Sequence, residues 1–232
     1  MVSEPLPPRD RVDRAALDLF ARRGFGGVTA EEVADAAGIS RRTFFRYYPT
    51  KADAVWGDFD AHVARLATLL AATDADRPVL EGICAAYIAV NTYPPAEQAL
   101  LRTRVALILT ETALQAHSQL RYAAIDRVVA RHVGDRLGRP AGDLLPRLVA
   151  ISTRAAATAA FEAWLNGAAP ALDRALESAF AELAGGFPSL AGPPGTPRAE
   201  RRRGATPGGG DRPARAVRPL PTPGTTQGGE DE

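Results

Sequence analysis

The chain has 232 residues, of which 46% are hydrophobic and 24% charged, and its 28 Lys and Arg against 27 Asp and Glu leave a formal net charge of +1. That length is enough for a real core in one or two domains, and the near-balanced charge does not by itself point to nucleic acid. A single cysteine, Cys84, excludes an internal disulfide, MVSEPLPPRDR carries no apolar leader, and no run approaches the ~18 apolar residues of a membrane span, so the expected setting is cytoplasmic with no membrane partner.

Residues 1–8 read as a Pro-rich disordered arm. Asp10–Arg23 is predicted as a first helix with Val12, Ala15, Ala16, Leu19 and Phe20 on its apolar face, ended by Gly24, Gly26 and Gly27. Arg9, Arg11 and Arg14 either brush phosphates or form a solvated face.

The next stretch, TAEEVADAAGISRRTFFRYYPTK from Thr29 to Lys51, reads as two short helices joined by a tight turn. Thr29 and Glu32 have capping-box spacing, Gly38 is placed to end the first helix, and Ser40 caps the second. Pro49 closes the second helix and Thr50 caps a third. Phe44 and Tyr48 lie four apart and can pack on the preceding helix, leaving Arg41, Thr43 and Tyr47 to point elsewhere. No acid occurs between Asp35 and Asp53, whereas Arg41, Arg42, Arg46 and Lys51 are cationic. Such a helix suits the DNA major groove: Arg pairs with guanine, Thr touches a thymine methyl, and Lys and Tyr hold phosphates. The candidate DNA contacts are Thr29, Ser40, Arg41, Arg42, Thr43, Phe45, Arg46, Tyr47 and Lys51.

Lys51–Leu70 is predicted as one long helix with an apolar stripe of Trp56, Phe59, Val63, Leu66 and Leu70. Further helices are expected over Pro78–Asn91, Ala96–Thr110, Ser118–Leu137, Leu144–Leu165 and Ala171–Leu183. Cys84 sits in apolar surroundings and reads as a buried structural thiol. The last two helices carry small and apolar side chains, with Leu148, Ile151, Ala155, Leu172, Leu176 and Phe180 as candidate dimerisation residues; the same stripe would also serve as the core of a monomer. From residue 185 to 232 the composition turns to Gly, Pro, Arg and Thr, too poor in apolar residues to offset ordering entropy, and a disordered tail is expected.

No metal site is expected, because His62, His117 and His132 are far apart in sequence. There is no Gly-rich phosphate loop after a strand and no nucleophile elbow, and Glu97, Glu111 and Glu162 are explained as solvated helix residues. Nothing calls for an enzyme or a cofactor. The expected fold is all-α, with a three-helix helix-turn-helix DNA-binding domain at 9–53 and a helical ligand-binding and dimerisation domain at 54–184.

The run AAGISRRTFFRYYPTK resembles the DNA-recognition segment of TetR-family transcriptional repressors, with Gly38, Ser40, Thr43, Phe44, Tyr47, Tyr48, Pro49, Thr50 and Lys51 on the family's positions. Arg42 stands where small Gly is common, and Phe45 where a phosphate-binding Tyr is common. WGDFDAH, YPP and ILTETALQAHSQLRYAA further resemble a group within that family associated with mycofactocin genes. The resemblance implies a homodimeric repressor on a near-palindromic double-stranded operator, released by a small hydrophobic effector of the long-chain acyl-CoA class. A fatty chain needs an apolar tunnel, for which Trp56, Phe59, Tyr87, Leu107 and Trp164 are candidates, and a CoA phosphate needs cations such as Arg102, Arg104, Arg121 or Arg127. For each of these, core packing or a solvated face is the competing reading. A different hydrophobic effector with unrelated target genes, or a DNA-binding protein without effector, remains the alternative.

Overall fold

The computed structural model describes residues 7–187; the expected tail from residue 188 onward and the first six residues of the expected arm lie outside the described residues. The chain forms α1 (Pro8–Arg23), α2 (Ala30–Ala36), α3 (Arg41–Tyr47), α4 (Lys51–Trp56), α5 (Phe59–Ala71), α6 (Val79–Val90), α7 (Pro95–Thr110), α8 (Thr112–Leu137), α9 (Leu144–Leu165) and α10 (Leu172–Ala184). No strand occurs among the described residues. The fold is all-α.

Local chemistry sets the first four helices. Pro8 occupies the first turn of α1, where its missing N–H costs nothing, so the helix starts inside the expected arm. Val12, Ala16, Leu17 and Phe20 form the buried face of α1, and Phe25 packs on Phe20 at a tilt with ring centroids 5.1 Å apart. Thr29 Oγ1 accepts from the Glu32 N–H at 3.2 Å while Glu32 Oε2 accepts from the Thr29 N–H at 2.8 Å, completing the capping box of α2. Gly38 takes φ +66° in the turn, and Ser40 Oγ accepts from the Thr43 N–H at 3.1 Å to open α3. Phe44 and Tyr48 are fully buried.

The expected single helix from Lys51 to Leu70 is two helices. Gly57 adopts φ +61° and Asp58 caps α5 by accepting from the Ala61 N–H at 3.2 Å. A left-handed residue followed by a good N-cap ends one helix and starts another without loss of satisfied backbone groups. The apolar stripe continues across the break, because Trp56 and Phe59 meet edge to face at 5.0 Å.

α1 packs on α2, α4 and α7, and α2 packs on α3. α7 also packs on α4 and α8, so it supports the N-terminal helices from the side of the larger bundle. That bundle is built on α8 against α9, α9 against α10, and α5 against α6 and α8. Ala150, Ala157 and Ala160 are the small buried residues that let α9 approach its neighbours. Leu172, Leu176 and Phe180 turn into this core, and Phe180 packs on Tyr87 with centroids 5.6 Å apart. These three, expected at a subunit interface, lie buried within the chain's own core, where burying each such side chain stabilises by roughly 1.5–3 kcal/mol. Leu148 and Ile151 behave differently, at 53% and 45% exposed, and with Leu144 at 81% and the exposed Ala155 they leave an apolar stripe on the outside of α9.

Candidate nucleic-acid interface and internal cavity

The outward side of α3 holds Arg41, Arg42, Phe45 and Arg46, all exposed, with Thr43 and Tyr47 partly exposed. The buried Phe44 and Tyr48 fix its orientation on the module, as their four-residue spacing dictates. Arg41 Nε lies 2.5 Å from Glu31 Oε1, and its guanidinium sits 5.4 Å from the Phe45 ring centroid. Arg46 lies over the Tyr47 ring at 5.0 Å and donates to its hydroxyl at 3.3 Å. Ser40 and Thr43 hydroxyls are 2.9 Å apart. Arg42 has no ion pair among the described residues. Thr29 is engaged in its capping box, and the Lys51 ammonium donates to the Phe25 and Val28 carbonyls at 2.8 and 3.0 Å. Both therefore have structural partners at the edge of the α3 surface.

The nearest acid on the C-terminal side, Asp53, turns inward. Its carboxylate accepts from the Thr50 N–H at 2.9 Å and hydroxyl at 2.8 Å, and from Arg121 of α8 at 2.5 Å. Burial pushes this carboxyl up, but the Thr50 and Arg121 hydrogen bonds outweigh it and hold it below the usual carboxylate range. His117 Nε2 lies 3.6 Å from the same carboxylate. The surface around α3 thus keeps its cations while the adjacent carboxylate is consumed inside.

Behind α4 lies a cavity of about 390 Å³, walled by Trp56, Phe59, Tyr87, Ile108, Tyr122 and Phe161 among others. That volume suits a small apolar ligand. Its polar lining includes Asp13, Asp58, His62, Arg65, Arg104 and Arg154. Arg154 is paired with Asp126 at 2.7 Å and lies over the Tyr122 ring at 5.1 Å. Burial, reinforced by Arg65 and Arg104, pushes His62 down to about 4, so its imidazole is neutral near pH 7. Among the described residues Trp56 Nε1 and Tyr87 Oη are buried without a hydrogen bond of good geometry, Thr153 being the polar neighbour of Tyr87.

Of the side chains expected around an effector, Trp56, Phe59, Tyr87 and Arg104 line this cavity together. The other five do not, and of these Arg127 is exposed on α8. Leu101, Arg104, Val105, Ile108 and Leu109 of α7 line the cavity, and at 3.6 residues per turn Leu107 falls on the other side of the helix. Arg102 instead donates to the Leu165 carbonyl at 2.6 Å and covers the Trp164 ring at 5.1 Å, which removes Trp164 as well. Arg121 is drawn to Asp53 and lies over Trp56 and Phe59 at 5.7 and 5.3 Å, behind the aromatic wall. Tyr122, Phe161, His62 and Arg154 were not anticipated. Only His62 carried a usable sequence signal, one turn after Phe59 on the same helix.

Comparison with known proteins decides the family. Residues 14–54 match the profile of the bacterial regulatory proteins of the tetR family, and residues 77–188 match the MftR C-terminal domain. The chain belongs to the TetR family. It is 37% identical over 179 residues, 77% of this regulator and 90% of the relative, to a Mycobacterium tuberculosis protein provisionally named mycofactocin biosynthesis transcriptional regulator MftR. Among solved structures it resembles a TetR-family regulator from Syntrophomonas wolfei, with TM-score 0.60 and 14% identity over 79% of this chain and 96% of the other. It also resembles FadR of Thermus thermophilus, a TetR-family repressor solved with lauroyl-CoA, with TM-score 0.50 and 24% identity over 77% and 94% of the two chains. Both likenesses speak to fold alone. TetR-family regulators are DNA-binding transcription factors, so this regulator is not an enzyme. No described helix is long and apolar enough to cross a membrane.

Proposed function

We propose that the regulator is a ligand-responsive repressor: residues 9–53 bind a near-palindromic operator, residues 54–184 bind the effector and dimerise, and a long-chain acyl-CoA releases the DNA at mycofactocin-associated genes. The carrying observation is the position of Trp56. It ends α4, whose first turn is capped by Thr50 three residues after the end of α3, and it lines the cavity. A ligand that displaces Trp56 therefore acts on the helix that follows the reading helix and packs on α1 and α7. The exposed stripe of Leu144, Leu148 and Ile151 on α9 supports a second copy as the partner that covers it. Two reading helices spaced about 34 Å apart then enter successive major grooves.

The acyl-CoA class is supported by the apolar cavity with two unpaired donors and by the lauroyl-CoA held in the FadR neighbour. The test is fluorescence anisotropy of the full chain on DNA upstream of its own gene, with and without oleoyl-CoA. Saturable binding with two chains per duplex, lost on adding the thioester, is expected. Specific binding unmoved by the thioester removes the acyl-CoA claim, and equal binding to random duplex at that site rejects it as the operator.

A further inference from the structure

A ring of polar side chains surrounds the break at Gly57. Arg104 of α7 donates to Asp13 of α1 at 3.2 Å and to the Trp56 carbonyl at 3.3 Å. Asp13 in turn accepts from the hydroxyl of Tyr48, the C-terminal cap of the reading helix. Arg9 donates to the same hydroxyl at 3.2 Å and to Asp58, the cap of α5, at 2.8 Å. The ring therefore joins α7 to α1, α3 and α5 with the α4–α5 break at its centre. A Cβ on Gly57 would lie 2.9 Å from Arg104 Cζ, so the guanidinium occupies space that only glycine leaves open.

This ring is reachable from the cavity, since Asp13, Trp56, Asp58 and Arg104 all line it. The unpaired Trp56 Nε1 and Tyr87 Oη in the same wall favour an occupant that brings an acceptor oxygen. Burial pushes the Asp13 carboxyl up, against the opposing pull of Tyr48 and Arg104.

We propose that Arg104 is the relay between the cavity and the reading helix: an acid, ester or thioester oxygen on the occupant competes with Asp13 for the guanidinium, and the freed Asp13 no longer fixes Tyr48. Arg104 acts here as a positioning residue. The inference rests on the regulator being effector-responsive, and it makes the acceptor oxygen, beside the apolar chain, the part of the ligand that triggers release.

The test is a mutant cycle on the full chain, using a duplex that the wild-type chain selects from a random-sequence library. R104K, D13N, Y48F and the two double variants with Y48F are compared by anisotropy without ligand, and each is melted to confirm folding. R104K and D13N should each weaken operator binding roughly 10-fold alone but no more than about 2-fold beyond Y48F, as coupled neighbours behave. Effects that simply multiply overturn the relay, and D13N keeps the test open if R104K folds poorly. With oleoyl-CoA, Y48F should show the same tryptophan quench as wild type but need roughly 10-fold more thioester for DNA release, again the mark of a broken coupling. Equal release by Y48F and wild type also overturns it. If oleoyl-CoA neither quenches nor releases the wild-type chain, the acyl-CoA effector is lost, while the ligand-free cycle still decides the relay.

Discussion

The Lys51 ammonium stands 4.4 Å from the Phe25 ring centroid and donates to the Phe25 carbonyl at 2.8 Å. This contact ties the start of α4 to the loop that leads into α2, and so holds the helix-turn-helix closed. K51M keeps the stem and removes the charge. It should cost about 1.5–3 kcal/mol of unfolding free energy, the range for hydrogen bonds to a charged group. Urea titration measures this. Unchanged stability with a strongly reduced salt slope of DNA binding would mean that Lys51 serves phosphate instead.

The exposed cations of α3 should separate by role. Arg41 is held by Glu31 and Phe45; on the proposed reading it contacts a base, and R41A should lose roughly 1–3 kcal/mol of operator affinity and relax one position of the site. Arg42 has no ion pair among the described residues, so R42A should weaken all duplexes alike and lower the slope of log affinity against log salt by about 0.9 per phosphate lost. Identical profiles for the two variants would reject this division.

Burial sets the acid behaviour of His62. The unfolded chain takes up a proton near the ordinary value of 6.5, whereas the folded one refuses it until about 4. Stability should therefore fall as pH drops through that window, by at most roughly 1.4 kcal/mol per pH unit for one proton. H62N should flatten this part of a melting-temperature profile. A profile unchanged by the substitution would show that other groups govern it.

The outer stripe of α9 and the inner stripe of α10 should respond differently. L148D with I151D is expected to yield monomers in sedimentation while leaving the melt nearly intact. L176A should remain a dimer but lose about 2–5 kcal/mol, since the deleted side chain is fully buried. Monomers from L176A and dimers from the α9 variant would reverse the assignment.

Much of the N-terminal module was legible because its signals are local. Thr29 with Glu32, Gly38 and Ser40 each act over three or four residues, and the structure realises each contact. Gly57–Asp58 carried a stop and a cap as well, yet the 3–4 spacing of Trp56, Phe59 and Val63 runs straight through it and masked the break. Phase was the other obstacle. Periodicity finds a stripe on α10 or α7 but cannot say what it faces: Leu172 lies in the chain's own core, and Arg102 is exposed beside Trp164. Tyr122 and Phe161 reach the cavity through helix packing over long sequence separations, which no local pattern records.

Gly57 and Arg104 share one small volume, and neither position can change freely while the other stays. A chain with a side chain at 57 has to withdraw the guanidinium, and a chain without the guanidinium no longer needs glycine there for space. Among relatives of this regulator an arginine at 104 should therefore be accompanied by glycine at 57, whereas the positive φ of Gly57 keeps glycine favoured there even where the arginine is lost. That pattern would mark the pair as one inherited unit, although 47 residues of sequence separate them.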